Sequence, residues 1–188
     1  MNSKRTDYIS PEELFIGSAI LSCLRSKDPN TRHGVCIINP TNNRVISLGY
    51  NGFPFGCSDD EFPWGREGEE ENTKYPYVIH AERNAIYNTA LSSDLQGSTL
   101  FLFSEKGYHP CSICMQSIIQ SGIRKIILAY QLDPIDGFVK FGKSKATEKM
   151  IKATGIEVDV YPDILKLLEN LELKFREMRM QIEEQLRR

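Results

Sequence analysis

Ser98-Thr99-Leu100-Phe101-Leu102-Phe103, then Cys111 through Ser121, then Gly122, then Ile126-Ile127-Leu128-Ala129-Tyr130 follow one another in the second half of the chain. The two outer runs are short, apolar and rich in β-favouring side chains, which predicts strands. The middle one carries apolar residues at helical spacing and ends at a glycine, which can close a helix in the left-handed conformation. Two strands joined through a helix lie parallel in one sheet. The pattern repeats downstream, where Lys145 to Ala153 reads as a helix ending at Gly155 and Ile156-Glu157-Val158-Asp159-Val160 as a strand. Upstream, Val35–Ile38 and Val45–Leu48 flank the turn cluster Pro40-Thr41-Asn42-Asn43 and read as an antiparallel hairpin. The segment His80 to Leu91 reads as a helix. So do residues 11–25, with Ser10 as cap, Pro11 at the first helical position and Leu14, Phe15, Ala19, Ile20, Leu21 and Leu24 on one spacing. The expectation is an α/β fold in which a β-α-β-α-β unit joins a hairpin to make a mixed sheet with helices on both faces.

The chain has 188 residues, 40% of them apolar and 26% charged, which suits one folded domain with at most an appended element. Residues 1–162 are taken as that domain. From Asp163, Ile164, Leu168, Leu171, Phe175, Met178 and Ile182 recur at steps of four and three, so 163–188 is expected to be one long amphipathic helix, packed on its own domain or forming an intermolecular seam. No stretch approaches the ~18 apolar residues of a membrane span, and Met1 to Asp7 runs into charge without an apolar signal core. Lys and Arg number 23 against 25 Asp and Glu, so a nucleic-acid polymer is not the expected partner. Five cysteines, an odd number, read as reduced thiols, and the expected compartment is cytoplasmic. Residues 51–79 lack a clear period, and a loop of that length is usually functional. Its cluster Glu67, Glu69, Glu70 and Glu71 reads as a solvated tip.

The chemistry concentrates in His80-Ala81-Glu82 and Pro110-Cys111-Ser112-Ile113-Cys114. One imidazole and two thiolates supply three ligands for zinc and leave the fourth tetrahedral position open, as catalysis requires. Cys111 and Cys114, three apart at a helix start, lie on one face where the helix dipole favours thiolates. Cys23, Cys36 and Cys57 have no partner spacing. Glu82 lies ~200° from His80 on a regular helix, so the two address one metal only if the helix begins near His80. If they converge, zinc lowers the pKa of its water towards ~7 and the unligated carboxylate takes the proton. H-x-E with P-C-x-x-C is the signature of zinc nucleobase deaminases.

At these residues the chain resembles the deoxycytidylate (dCMP) deaminase family. The resemblance extends to Arg25 through Asn30, Gly49 through Asp60, and Thr73-Lys74-Tyr75-Pro76-Tyr77. It implies a three-layer α/β/α cytidine-deaminase-like fold with a five-stranded mixed sheet. It also implies a hydrolase that opens a cyclic amidine C–N bond, converting dCMP to dUMP and ammonia for thymidylate synthesis. Glu82 would be the proton carrier and His80, Cys111 and Cys114 the ligands of a catalytic Zn2+. Alternatives are a deaminase of C5-substituted dCMP, dCTP or cytidine, or a catalytically silent zinc-binding regulator.

Asn51 is a candidate substrate contact, or else an Asn-Gly turn held by its own side chain. Arg25 and Lys27, with Ser26, are candidates for a 5′-phosphate site, or else solvated helix-end charge. Ala81, beside the proton carrier, joins the substrate-binding candidates. The family resemblance further implies a homo-oligomer, hexamer or dimer, activated by dCTP and inhibited by dTTP, with Mg2+ accompanying the triphosphate. The site would lie near the loop bearing Gly52, Pro54, Gly56 and Asp59. The sequence departs from the family pattern at Arg32-His33, at Arg83 and in a longer Ser104–His109 connection. Tyr108 and His109 in that connection are candidates to stack on or hydrogen-bond to a C5 substituent of the base, or else the connection is a surface insertion pointing to solvent.

Overall fold

The structure, a computed structural model, describes residues 4–130 and 144–187. Residues 131–143, in the connection read from sequence as a loop, lie outside the described residues. Helix α1 (Pro11–Arg25) starts with a reciprocal cap: Ser10 Oγ accepts from Glu13 N at 3.1 Å and the Glu13 carboxylate accepts from Ser10 N at 2.6 Å. Strands β1 (His33–Asn39) and β2 (Arg44–Tyr50) form the expected hairpin. Helix α2 (Ala81–Tyr87) is followed by β3 (Thr99–Ser104), α3 (Ser112–Gln120), β4 (Lys125–Ala129), α4 (Lys145–Thr154), β5 (Glu157–Val160) and α5 (Ile164–Leu186). The strand order is β2-β1-β3-β4-β5. β1 is antiparallel to β2 and β3, and β3, β4 and β5 are parallel, as the crossover argument required.

Alternation along each strand builds two cores. Val35, Ile37, Leu100, Leu102, Ile126 and Leu128 face α2, α3 and α4. Cys36, Ile38, Phe101 and Ile127, the residues between them, pack on Phe15, Ile16 and Ala19 of α1 and on Ile164 and Leu167 of α5. This is a three-layer α/β/α sandwich around a five-stranded mixed sheet. The helices press directly on the hairpin. A Cβ on Gly34 would stand 1.9 Å from the Ala19 carbonyl oxygen, and one on Gly49 2.4 Å from the Ala85 nitrogen and 2.5 Å from the Ala81 oxygen. Gly49 therefore sets how closely the start of α2 approaches the sheet.

Two elements differ from expectation. The predicted helix over 80–91 ends at Tyr87, because side chains tie the next residues to β2: Asn88 Nδ2 donates to the Leu48 carbonyl (3.1 Å), and Thr89 Oγ1 donates to Ser47 Oγ (3.3 Å). A short 3-10 turn, Ser92–Leu95, then seats Leu95 in the core. Helix α5, expected over 163–188, runs from Ile164 to Leu186 but buries only its beginning. Ile164 and Leu167 are buried, whereas Phe175, Met178 and Ile182 are exposed. Among the described residues, no helix is long and apolar enough to cross a membrane.

Candidate active site

The starts of α2 and α3 meet beside the start of β1 and the end of β2. His80 is the residue before α2, with φ −68° and ψ 155°. Its extended backbone takes it off the helical screw, which removes the ~200° separation of a regular helix and brings its imidazole to the same side as the first-turn Glu82. Cys111 caps α3 in the same extended conformation, its sulfur accepting from Cys114 N at 3.5 Å. His80 Nδ1 then lies 3.6 Å from Cys111 Sγ and 3.4 Å from Cys114 Sγ, and all three candidate ligand atoms fall within 4.8 Å of one another. With Zn–S near 2.3 Å and Zn–N near 2.0–2.1 Å, a tetrahedral site has S···N edges of about 3.6 Å. The donor set and its spacing fit zinc, with one position left for water or substrate.

The electrostatics suit a metal as well. Hydrogen bonding from Cys114, and then from His80, pushes the Cys111 thiol down to about 3, while Cys114 is pushed up because it is the donor in that pair and is buried. A bound cation would favour the thiolate form of both sulfurs. His80 is raised, first by its hydrogen bond to Cys111. Glu82 is 5% exposed, and burial raises its carboxyl above the ordinary range. Such a shift brings a carboxyl nearer to neutrality, where it both takes and gives a proton.

These groups open into a cavity of about 260 Å³ lined also by Asp28, Thr31, His33, Asn51, Arg66, Lys74, Tyr75, Val78, Tyr108 and His109. Asn51 is 3% exposed and its carboxamide is engaged by the 28–33 segment: Nδ2 donates to the Thr31 carbonyl (2.9 Å) and to Asp28 Oδ2 (3.2 Å), and Oδ1 accepts from His33 N (2.8 Å). Asn51 thus fixes the 28–33 segment at the mouth. Asp28 also receives Lys74 Nζ in an ion pair with both side chains buried. His33 is driven down to about 4, mainly by burial and then by the charge of His80, and is neutral near pH 7. Its ring centroid is 6.0 Å from that of Tyr108, and Ser104 Oγ accepts from Tyr108 N (2.9 Å), so the Ser104–His109 loop does border the cavity.

Other sequence candidates are placed elsewhere. The Arg25 guanidinium lies 5.4 Å from the Tyr50 ring centre, Lys27 pairs with Asp59 at 2.5 Å, and Ser26 Oγ donates to the Asn51 carbonyl at 2.8 Å. None of the three lines the cavity. Ala81 is wholly buried at the first turn of α2. Gly52 forms an isolated bridge with Ile79, the Pro54 carbonyl accepts from Cys57 N, and Gly56 has a positive φ of 90°. Arg66, Lys74, Tyr75 and Asp28 were given no role by sequence reasoning. Their signal was present, since Asp28, Lys74 and Tyr75 all fall within the segments that carried the resemblance.

Residues 9–130 match the family described as "Cytidine and deoxycytidylate deaminase zinc-binding region". The chain belongs to this deaminase family. It is 47% identical over 125 residues to human deoxycytidylate deaminase, covering 66% of this chain and 67% of that protein. To a probable deoxycytidylate deaminase of Drosophila melanogaster it is 37% identical over 163 residues, covering 82% and 73%. Among solved structures, the dCMP deaminase of cyanophage S-TIM5 in complex with dCMP and dUMP superposes with a TM-score of 0.55 over 82% of this chain and 100% of that one, at 23% identity. That likeness bears on the fold, and it agrees with the three-layer deaminase architecture. The protein is therefore a zinc-type hydrolytic deaminase, and His80, Cys111 and Cys114 form a cluster that could hold its metal.

Proposed function

We propose that this deaminase converts dCMP to dUMP and ammonia. The observation that carries the chemistry is the convergence of His80, Cys111 and Cys114 on one point beside the buried carboxyl of Glu82. The choice of dCMP is supported by the identity to the human and fly relatives. His80, Cys111 and Cys114 would hold zinc, which when bound acts as a Lewis acid and acidifies a water molecule. Glu82 takes a proton from the attacking water and delivers it to N3 of the cytosine ring. Glu82 then takes the remaining proton from the C4 hydroxyl and passes it to the amine, so the C4–N bond breaks as the C4–O bond becomes a carbonyl and ammonia leaves. Asn51 and the Asp28–Lys74 pair hold the wall against which the substrate lies. Tyr108 and His109 face the base.

We also infer that residues 1–162 are the deaminase unit, and that the exposed apolar stripe of α5 serves a homo-oligomer. Effector control by dCTP and dTTP with Mg2+, through the loop of Gly52, Pro54, Gly56 and Asp59, rests on the resemblance of that loop, and the cytoplasmic setting on the reduced cysteines. The deciding measurement is ammonia release from dCMP compared with dCTP, cytidine, deoxycytidine and 5-methyl-dCMP. dCMP should lead the panel, and Glu82→Ala should keep zinc while losing ~10²–10⁴-fold in rate. Normal turnover in Glu82→Ala would overturn the mechanism. A chain that binds zinc and turns over none of these compounds would be a regulator instead.

A further inference from the structure

The geometry points to Arg66, oriented by Tyr75, as the residue that binds the 5′-phosphate of the substrate and so selects nucleotides over nucleosides. This rests on the dCMP reading and deepens it. A phosphate dianion needs a cation that is not already neutralised, within reach of the same cavity as the reacting atoms.

Most cations near the site fail that condition. Lys74 reaches the cavity wall but is consumed by Asp28, so the pair presents no net charge. Lys27 is paired with Asp59, and Arg32 with Glu105 at 2.6 Å. Arg25 and Arg83 lie against Tyr50 and Tyr87, neither of which lines the cavity. Arg66 lines the cavity with the metal cluster, and among the described residues no carboxylate pairs with it.

Its position is built. Lys74 N donates to the Gly65 carbonyl at 2.9 Å, pinning the base of the 65–74 loop, and Arg66 Nε donates to the Tyr75 hydroxyl at 3.1 Å. That bond uses the Nε edge and leaves the two terminal nitrogens, the planar pair suited to bidentate phosphate oxygens. Glu67, Glu69, Glu70 and Glu71 are exposed on the same loop, and none pairs with Arg66. Tyr75 is half-exposed and also lines the cavity, so its hydroxyl can both accept from Arg66 and donate to an anion.

The test is steady-state kinetics of Arg66→Gln and Arg66→Lys on dCMP and deoxycytidine, with calorimetric binding of dUMP and deoxyuridine as a readout independent of turnover. A charge-assisted phosphate contact predicts that Arg66→Gln lowers kcat/KM for dCMP by about 10- to 100-fold, mostly through KM. The values for deoxycytidine stay unchanged, the dUMP preference over deoxyuridine shrinks equally, and Arg66→Lys recovers part of the loss. Equal losses on nucleotide and nucleoside would make Arg66 merely structural and overturn the assignment. So would an unaffected dCMP KM in Arg66→Gln, particularly if Lys27→Gln showed the selective loss. A native chain that deaminates deoxycytidine as well as dCMP refutes the dCMP reading itself, which separates that failure from failure of Arg66 alone.

Discussion

Replacing Lys74 with methionine keeps the apolar stem and deletes the ammonium, which leaves Asp28 without its charge partner at a site where the two side chains are 8% and 1% exposed. The carboxylate does not become wholly unsatisfied. Oδ1 still accepts from Asn30 N (2.8 Å) and Thr31 N (3.2 Å), and Oδ2 from Asn51 Nδ2 (3.2 Å). Removing one partner of a buried pair costs ~3–5 kcal/mol, and the three remaining N–H donors place this case near the lower end, about 3 kcal/mol. For a domain of this size that is a fall in Tm of roughly 6–12 °C. Urea unfolding at fixed zinc concentration reads the loss. The double variant Asp28→Asn, Lys74→Met should recover at least half of it, because an amide leaves no buried charge. The same wall lines the cavity, so the single variant should also raise KM for dCMP. If Lys74→Met unfolds within about 0.5 kcal/mol of the native chain, the pair behaves as a surface ion pair and the reasoning fails.

Gly49→Ala should yield little folded protein, since its Cβ would lie 2.4 Å from backbone of α2, whereas at Gly56, where nothing stands within 4 Å of the added carbon, the cost is only that of a positive φ; thermal unfolding of both variants separates the two causes. The Glu13 carboxyl is held below its ordinary 4.5, chiefly by the Ser10 backbone N–H. Its contribution is therefore complete above that value and is lost as pH falls through the lowered one, so the stability gap between native and Glu13→Gln should close in acid. In metal-free protein at pH 7, Cys111 is a thiolate and should be alkylated by iodoacetamide well before Cys23 and Cys36, which have no exposure and are pushed up to about 12, mainly by burial. Mass spectrometry of the modified peptides checks this order, and added zinc should protect Cys111.

Much of the architecture was legible because its causes are local. Ser10, Pro11 and Glu13 carry the start of α1 in four consecutive residues, and Gly155 ends α4 in the left-handed conformation at φ 65°. The apolar runs of β3 and β4, with a helix between them, required a parallel pair whatever else the chain did. The end of α2 was not legible, since the anchors for Asn88 and Thr89 lie on β2, about 40 residues away in sequence. The exposure of α5 beyond its first turns was not legible either, because periodicity shows that a stripe exists and not what covers it.

The sequence by itself determined the metal donors, because the two short motifs fix the residue types, and a cysteine pair three apart at a helix start can present both sulfurs to one face. It also determined that Glu82 was the group to watch. Whether Glu82 could act with His80 was decided by the tertiary structure, through the extended backbone at His80, which the close packing of α2 on Gly49 holds against the sheet. The division between structural and available cations was decided there as well. Arg25, Lys27, Arg66 and Lys74 are equal as letters in a chain. Only folding brings Asp59 to Lys27, Asp28 to Lys74 and Tyr50 to Arg25, and leaves Arg66 facing the cavity with no carboxylate paired to it among the described residues. Charge compensation acts over a few ångströms between segments tens of residues apart, so it is a property of the fold and not of the local sequence.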